Sequence, residues 1–260
     1  MEKVSSADGT TIAYERSGAG TPVILVGGAL CTRATMGPLA KALEGDFTVV
    51  SYDRRGRGDS GDTSPYAVAR EVEDLGALIT ALGGVAAVYG HSSGAALAVE
   101  AAASGLPISK VVLHEPPYGA DDAESQRQSD EAGETVLRLL AEGRRTAAVE
   151  AFLAIAGMPE DAASDWAAEP GMDDLAPTIA YDFAVMGNAS QGGTVPRELI
   201  GKVTQPALAI CGSVSHEFLI DSARVVAKSL PGGQYVELDG HHHVVPPEVL
   251  APVLIDFLKS

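Results

Sequence analysis

The chain has 260 residues, 46% hydrophobic and 20% charged, enough apolar content to bury one or two cores and unlike disordered, collagenous or coiled-coil chains. With 18 Lys+Arg against 35 Asp+Glu it carries a net charge of −17, a field that repels nucleic acid phosphates and anionic membrane surfaces, so neither partner is expected. The first residues lack the apolar stretch of a signal peptide and no run reaches the ~20 apolar residues of a membrane span, which points to a cytoplasmic address. The chain opens with an alternating segment at 11–16 after an Asp8-Gly9 turn signal, which reads as an antiparallel hairpin. Short apolar runs rich in β-branched residues follow at 22–28, 47–53, 86–90, 110–114, 206–211 and 234–238, with helix-sized patterns at 36–43, 67–82 and 94–104 between them. That alternation predicts an α/β chain: a mostly parallel sheet, doubly wound by helices.

The stretch 118–203 interrupts the alternation with helix-like patterns and no comparable strand run, and is expected to be a helical insertion between core segments 1–117 and 204–260. It is the acidic, solvated part of the chain: 118–177 holds 14 Asp/Glu and 4 Arg without a Lys, −10 of the total −17. It also holds Trp166, the only tryptophan, with Met158, Met172, Tyr181, Phe183 and Met186. These apolar residues either fill a small core of their own or face a cavity over the sheet. On the second reading Trp166, Tyr181 and Met186, with Leu30, are the candidate substrate-binding residues. Two cysteines, Cys31 and Cys211, are too few for a disulfide framework, show no metal-ligand spacing, and read as buried, reduced thiols.

The segment 86–97 runs from an apolar strand through Gly90-His91-Ser92-Ser93-Gly94 into a helix of small residues. G-x-S-x-G between strand and helix is a nucleophile elbow: the turn strains the central serine and leaves its hydroxyl clear at the carboxyl edge of the sheet. Ser92 is therefore the candidate nucleophile, and the backbone N–H of Ser93, at the helix N-terminus, points to where negative charge would develop. His91 is read as structural. A serine hydroxyl needs a base within hydrogen-bond reach, and Gly240-His241-His242-His243 after the last strand supplies one.

At this point the layout resembles the α/β-hydrolase fold family, in which nucleophile, acid and histidine occur in that order and the histidine follows the final strand. The family's G-x-x-H pattern matches Gly240 to His243 and selects His243, with His241 and His242 as alternatives. The resemblance further implies that Gly27-Gly28-Ala29 is the loop giving the second oxyanion-hole N–H, from Ala29, although Gly27 stands where the family usually has His. Asp53-Arg54-Arg55-Gly56-Arg57-Gly58-Asp59-Ser60 fits the family's D-x-R-G-x-G-x-S turn, a structural signature without a catalytic role. The acid departs from the common pattern. Cys211-Gly212-Ser213-Val214-Ser215-His216-Glu217 has no aspartate where most of the family has one, so the candidates are Glu217 and, favoured, Glu115 in His114-Glu115-Pro116-Pro117 at the end of the neighbouring strand. That placement is similar to lactonases that open the macrolactone zearalenone.

The resemblance implies a serine hydrolase acting on a neutral, hydrophobic ester or lactone through an acyl-enzyme, with an acidic lid and no metal or organic cofactor. The serine argues against the dehalogenase and epoxide-hydrolase branches. Thioester, amide or carbon–carbon bond cleavage uses nearly the same residues. A ligand-binding or non-hydrolytic cyclase role is the alternative from another class, and a homodimer is left open.

Overall fold

Strand residues of alternating parity send their side chains to opposite faces of a sheet, and the run Pro22–Val26 shows the result directly. In the computed structural model, which describes residues 1–120, 122–187 and 193–260, Ile24 and Val26 belong to one buried cluster and Val23 and Leu25 to another. The first cluster packs the sheet against Leu75, Leu78 and Ile79 of α2 (Val68–Ala81) and the alanine-rich α3 (Ser93–Ala103). The second packs the other face against Met36, Leu39 and Leu43 of α1 (Arg33–Leu43) and Leu250, Leu254 and Phe257 of the closing helix Pro247–Lys259. Strands apolar on both faces are what a sheet covered by helices on both sides requires.

The described residues form an eight-stranded sheet in the order β1-β2-β4-β3-β5-β6-β7-β8. The strands are Glu2–Ser5, Thr11–Gly18, Pro22–Val26, Thr48–Tyr52, Ala86–His91, Ile108–His114, Ala207–Gly212 and Gln234–Leu238. β1 and β2 form the expected antiparallel hairpin, β2 pairs antiparallel with β4, and the remaining pairings are parallel. In the β5–β6 register His91 lies opposite His114, so Ser92 and Glu115 leave adjacent strands side by side.

Between β6 and β7 the described residues form the helices α4 (Ala123–Ala141), α5 (Arg145–Ile155), α6 (Glu160–Ala167), α7 (Met172–Leu175), a 3-10 turn, α8 (Ile179–Val185) and α9 (Arg197–Ile200). Val136, Leu139, Val149, Leu153, Ile179 and Phe183 form a third apolar cluster that also contains Leu30, from the loop after β3. α8 rests on α2 and α3, so the segment is seated above the carboxyl ends of the central strands. Among the described residues no helix is long and apolar enough to cross a membrane.

Candidate active site

Close packing dictates the glycines on either side of the predicted nucleophile. A Cβ at Gly90 would lie 2.3 Å from the Gly94 carbonyl oxygen, and one at Gly94 would lie 2.3 Å from that of Val26. Only glycine lets β5 turn so sharply into α3. Ser92, between them, has φ 55° and ψ −127°, a conformation that L-residues avoid. Two further non-glycine residues with positive φ stand among the described ones: Leu30 at 58° and Glu115 at 49°. One is next to the predicted oxyanion-hole residue, one is the predicted nucleophile and one is the predicted acid. Backbone strain of this kind costs on the order of 1–3 kcal/mol per residue and persists where the surroundings impose it.

The structure brings Glu115, not Glu217, to His243. The fully buried Glu115 carboxylate accepts a hydrogen bond through Oε2 from Nδ1 of His243. Its other oxygen accepts from Ser215 Oγ at 2.5 Å and from the Gly212 N–H at 2.7 Å. Burial pushes the Glu115 carboxyl up, but the hydrogen bond and charge of His243, with the Ser215 and Gly212 donors, outweigh it and hold the group below its ordinary value. Glu217 is exposed and opens the helix Glu217–Ser229. His242 is exposed, and the carbonyl of His241 packs against Gly212, where a Cβ would come within 2.1 Å of it.

His91, read from sequence as structural, supports His243 directly. Its Nε2 donates to the His243 carbonyl at 3.0 Å and its ring lies against that of His243, with centroids 4.5 Å apart. The His114 ring lies 4.9 Å from that of His91, centroid to centroid, and shares a 2.7 Å hydrogen bond with the Tyr89 hydroxyl. Burial pushes His91 down to about 3 and His114 well below its ordinary value, so both rings are neutral near pH 7.

The loop after β3 stands over the elbow: a Cβ at Gly28 would meet Ser92 Cβ at 2.9 Å. Ala29 and Ser92 are partly accessible, whereas Ser93 is buried as the first residue of α3. Beneath the loop lies a buried ionic cluster that sequence reasoning missed. Arg54 forms two hydrogen bonds to Glu71, at 2.6 and 2.7 Å, while Asp182 on α8 accepts from Arg54, Arg57 and Ser93 Oγ. The available signal was Asp182 itself, a lone acid between Tyr181 and Phe183 facing a turn with three arginines.

The predicted pocket residues divide. Leu30 is buried in the apolar cluster of the helical segment, and Met186 packs against both that cluster and the sheet core. Tyr181 is committed to the arginine-rich turn: its ring stacks on Tyr66 at 3.8 Å and its hydroxyl donates to Asp62 at 2.6 Å. Trp166 is 53% exposed on α6, outside the apolar cluster. A cavity of 380 Å³ opens between α4 and α8, with Leu137, Ala180 and Phe183 beside Asp130 and Glu134 in its lining. Among the described residues no three His, Cys, Asp or Glu side chains are grouped as metal ligands. Both cysteines are free, Cys211 buried and Cys31 partly so.

Comparison with known proteins agrees with this architecture. The model of the Alpha/beta hydrolase family matches residues 18–253. The chain is similar to the crystal structure of an alpha/beta hydrolase from Sphaerobacter thermophilus, with 46% identity, a TM-score of 0.89, and coverage of 99% of this chain and 100% of that one. An enol-lactonase from Burkholderia xenovorans shares the fold at 20% identity and a TM-score of 0.71, with both chains fully covered. The N-formylmaleamate deformylase of Pseudomonas putida is 38% identical over 117 residues, which are 43% of this chain and 44% of that protein. The match thus spans less than half the length of that curated relative.

Proposed function

The chain belongs to the alpha/beta hydrolase family, and on that premise we propose that it is a serine hydrolase cleaving neutral, hydrophobic carboxylic esters or lactones through an acyl-enzyme. The observation that carries the reading is the Glu115 carboxylate hydrogen-bonded to Nδ1 of His243, beside the strained Ser92. A proton held on Nδ1 leaves Nε2 free to accept the Ser92 proton as the hydroxyl attacks the carbonyl carbon. The oxyanion forms between the N–H groups of Ala29 and Ser93. His243 then protonates the leaving alkoxide and, with the product alcohol gone, takes a proton from water, which attacks the acyl-Ser92 carbonyl; His243 gives that proton to Ser92 Oγ as the bond to the acyl carbon breaks, which frees the acid and restores the serine. Glu115 orients the imidazole and balances its transient charge throughout.

The helical segment 118–203 acts as a lid. Its net negative charge favours neutral substrates over anionic ones. An acid at the end of β6 is the feature shared with zearalenone-opening lactonases, so a macrolactone belongs in the substrate panel. Amide C–N hydrolysis is the second reading, favoured by the identity to the deformylase.

The test is hydrolysis of 4-nitrophenyl butyrate by wild type and Ser92→Ala, with labelling by a fluorophosphonate and melting temperatures for both. The expected result is a labelled, active wild type and a folded, unlabelled mutant slower by about 10³-fold or more. A folded wild type that neither labels nor turns over esters, lactones or amides, and only shifts its Tm with ligand, would instead be a binding protein. Faster turnover of anionic acyl-thioesters than of neutral esters would overturn the substrate class.

A further inference from the structure

Resting on the serine-hydrolase reading, we infer that Arg57 and Asp182 are positioning residues for the oxyanion hole, and that Asp182 makes the hole's geometry depend on the docked helical segment. Arg57 Nη1 donates to the Gly28 carbonyl at 2.6 Å and reaches the Cys31 carbonyl at 3.4 Å. The Gly28 carbonyl belongs to the same peptide unit as the Ala29 N–H. Ser64–Pro65 is the cis bond of the described chain, so this unit is trans, and in a trans peptide C=O and N–H point in opposite directions. Holding the carbonyl down on the guanidinium therefore aims the Ala29 N–H up, toward the space above Ser92. The positive charge on the carbonyl also polarises the unit and strengthens its N–H as a donor.

Arg57 is held in turn by Asp182, whose two oxygens accept from Arg57 Nη2 at 2.9 and 2.8 Å. The same carboxylate accepts from Ser93 Oγ at 2.7 Å, on the residue whose backbone N–H is the second donor of the hole. Arg54 adds a bond to Asp182 at 2.7 Å and contacts the Gly27 carbonyl at 3.5 Å. One fully buried carboxylate from α8 thus reaches both halves of the hole without touching substrate. The turn 53–60, expected to be structural only, supplies the arginines.

Stability alone would explain a buried ion cluster, so the test needs a readout that misfolding does not move. 4-Nitrophenyl butyrate and the matching thionobutyrate differ only in the atom that enters the oxyanion hole. Sulfur is a poor hydrogen-bond acceptor there, so the oxygen-to-sulfur ratio of kcat/KM reports the hole and is independent of the fraction of enzyme folded. The variants are Arg57→Lys, which keeps the charge but loses the fork that bridges Gly28 and Asp182, and the near-isosteric Asp182→Asn. The control is Asp74→Asn, which removes the buried partner of Arg55, paired at 2.7 Å and outside the oxyanion loop.

The expected result is a tenfold or greater drop in kcat for the oxygen ester in both variants, with KM within about threefold, and a matching collapse of the ratio. Asp74→Asn lowers Tm and leaves the ratio unchanged. A labelled, active wild type whose ratio survives in Arg57→Lys and Asp182→Asn overturns this inference alone. A wild type that is neither labelled at Ser92 nor active overturns the hydrolase reading, and this one with it.

Discussion

Acidification from pH 7 to pH 5 is expected to destabilise the protein through His91 and His114, before its carboxylates titrate. In the unfolded chain a histidine takes its proton near 6.5, whereas burial pushes His91 down to about 3 and His114 well below its ordinary value. Between those values the unfolded state binds the proton and the folded state does not, so stability rises with pH across the window and levels off above about 6.5. Each neutral ring therefore forfeits about 2 kcal/mol between pH 7 and pH 5, and the pair about 4 kcal/mol, a large share of a typical domain's stability. Glu71, Glu115 and Asp182 are held below their ordinary values, and their contributions fade only below about pH 4.5. Asp74 and Glu100, raised by burial, act in the opposite sense. Comparison with His114→Gln cancels these carboxylates. Urea unfolding of both proteins at the two pH values is expected to show a pH-dependent loss smaller by about 2 kcal/mol in the variant. An identical loss in both would show that His114 accepts its proton in the folded protein, against the burial argument.

Three other outcomes are expected. Glu115→Gln lowers kcat for an ester by about 10²- to 10⁴-fold while Glu217→Gln stays within about twofold, and steady-state kinetics giving the reverse order would move the triad acid to Glu217. Ser92→Gly is more stable than Ser92→Ala by about 1 kcal/mol, the opposite of the usual order, because φ 55° penalises a Cβ; chemical denaturation that ranks alanine first would contradict the strain. Trp166→Ala, at a half-exposed position, changes KM for bulky and small esters alike, and a selective rise for bulky ones would put the indole in the pocket.

The elbow was legible in the sequence because it is local: a strand, two close-packed glycines and a helix lie within 86–103 and need no distant partner. The choice of Glu115 over Glu217 was legible as a preference, since adjacent parallel strands bring their ends together, but the hydrogen bond that distinguishes them comes from a loop 128 residues away. The ionic cluster was hidden for the same reason. Arg57 and Asp182 are 125 residues apart, and the acidic composition of the helical segment suggested a solvated face, not one fully buried carboxylate. Trp166 and Tyr181 were singled out for chemical type. An exposed helix face claims the first, and Tyr66 with Asp62 claims the second.

The proposed machinery divides unevenly along the chain. Ala29, Ser92, Ser93 and Glu115 all precede the helical segment, whereas His243 arrives only after β7 and β8 have added to the sheet. During synthesis the nucleophile, acid and oxyanion loop therefore emerge long before the base that would activate them, and a nascent chain holds an inert serine. A cut in the helical segment would separate the same groups. Two fragments could regain turnover only by pairing β6 with β7 in the register that sets Leu113 against Ala209, which makes ester hydrolysis a direct reporter of that association.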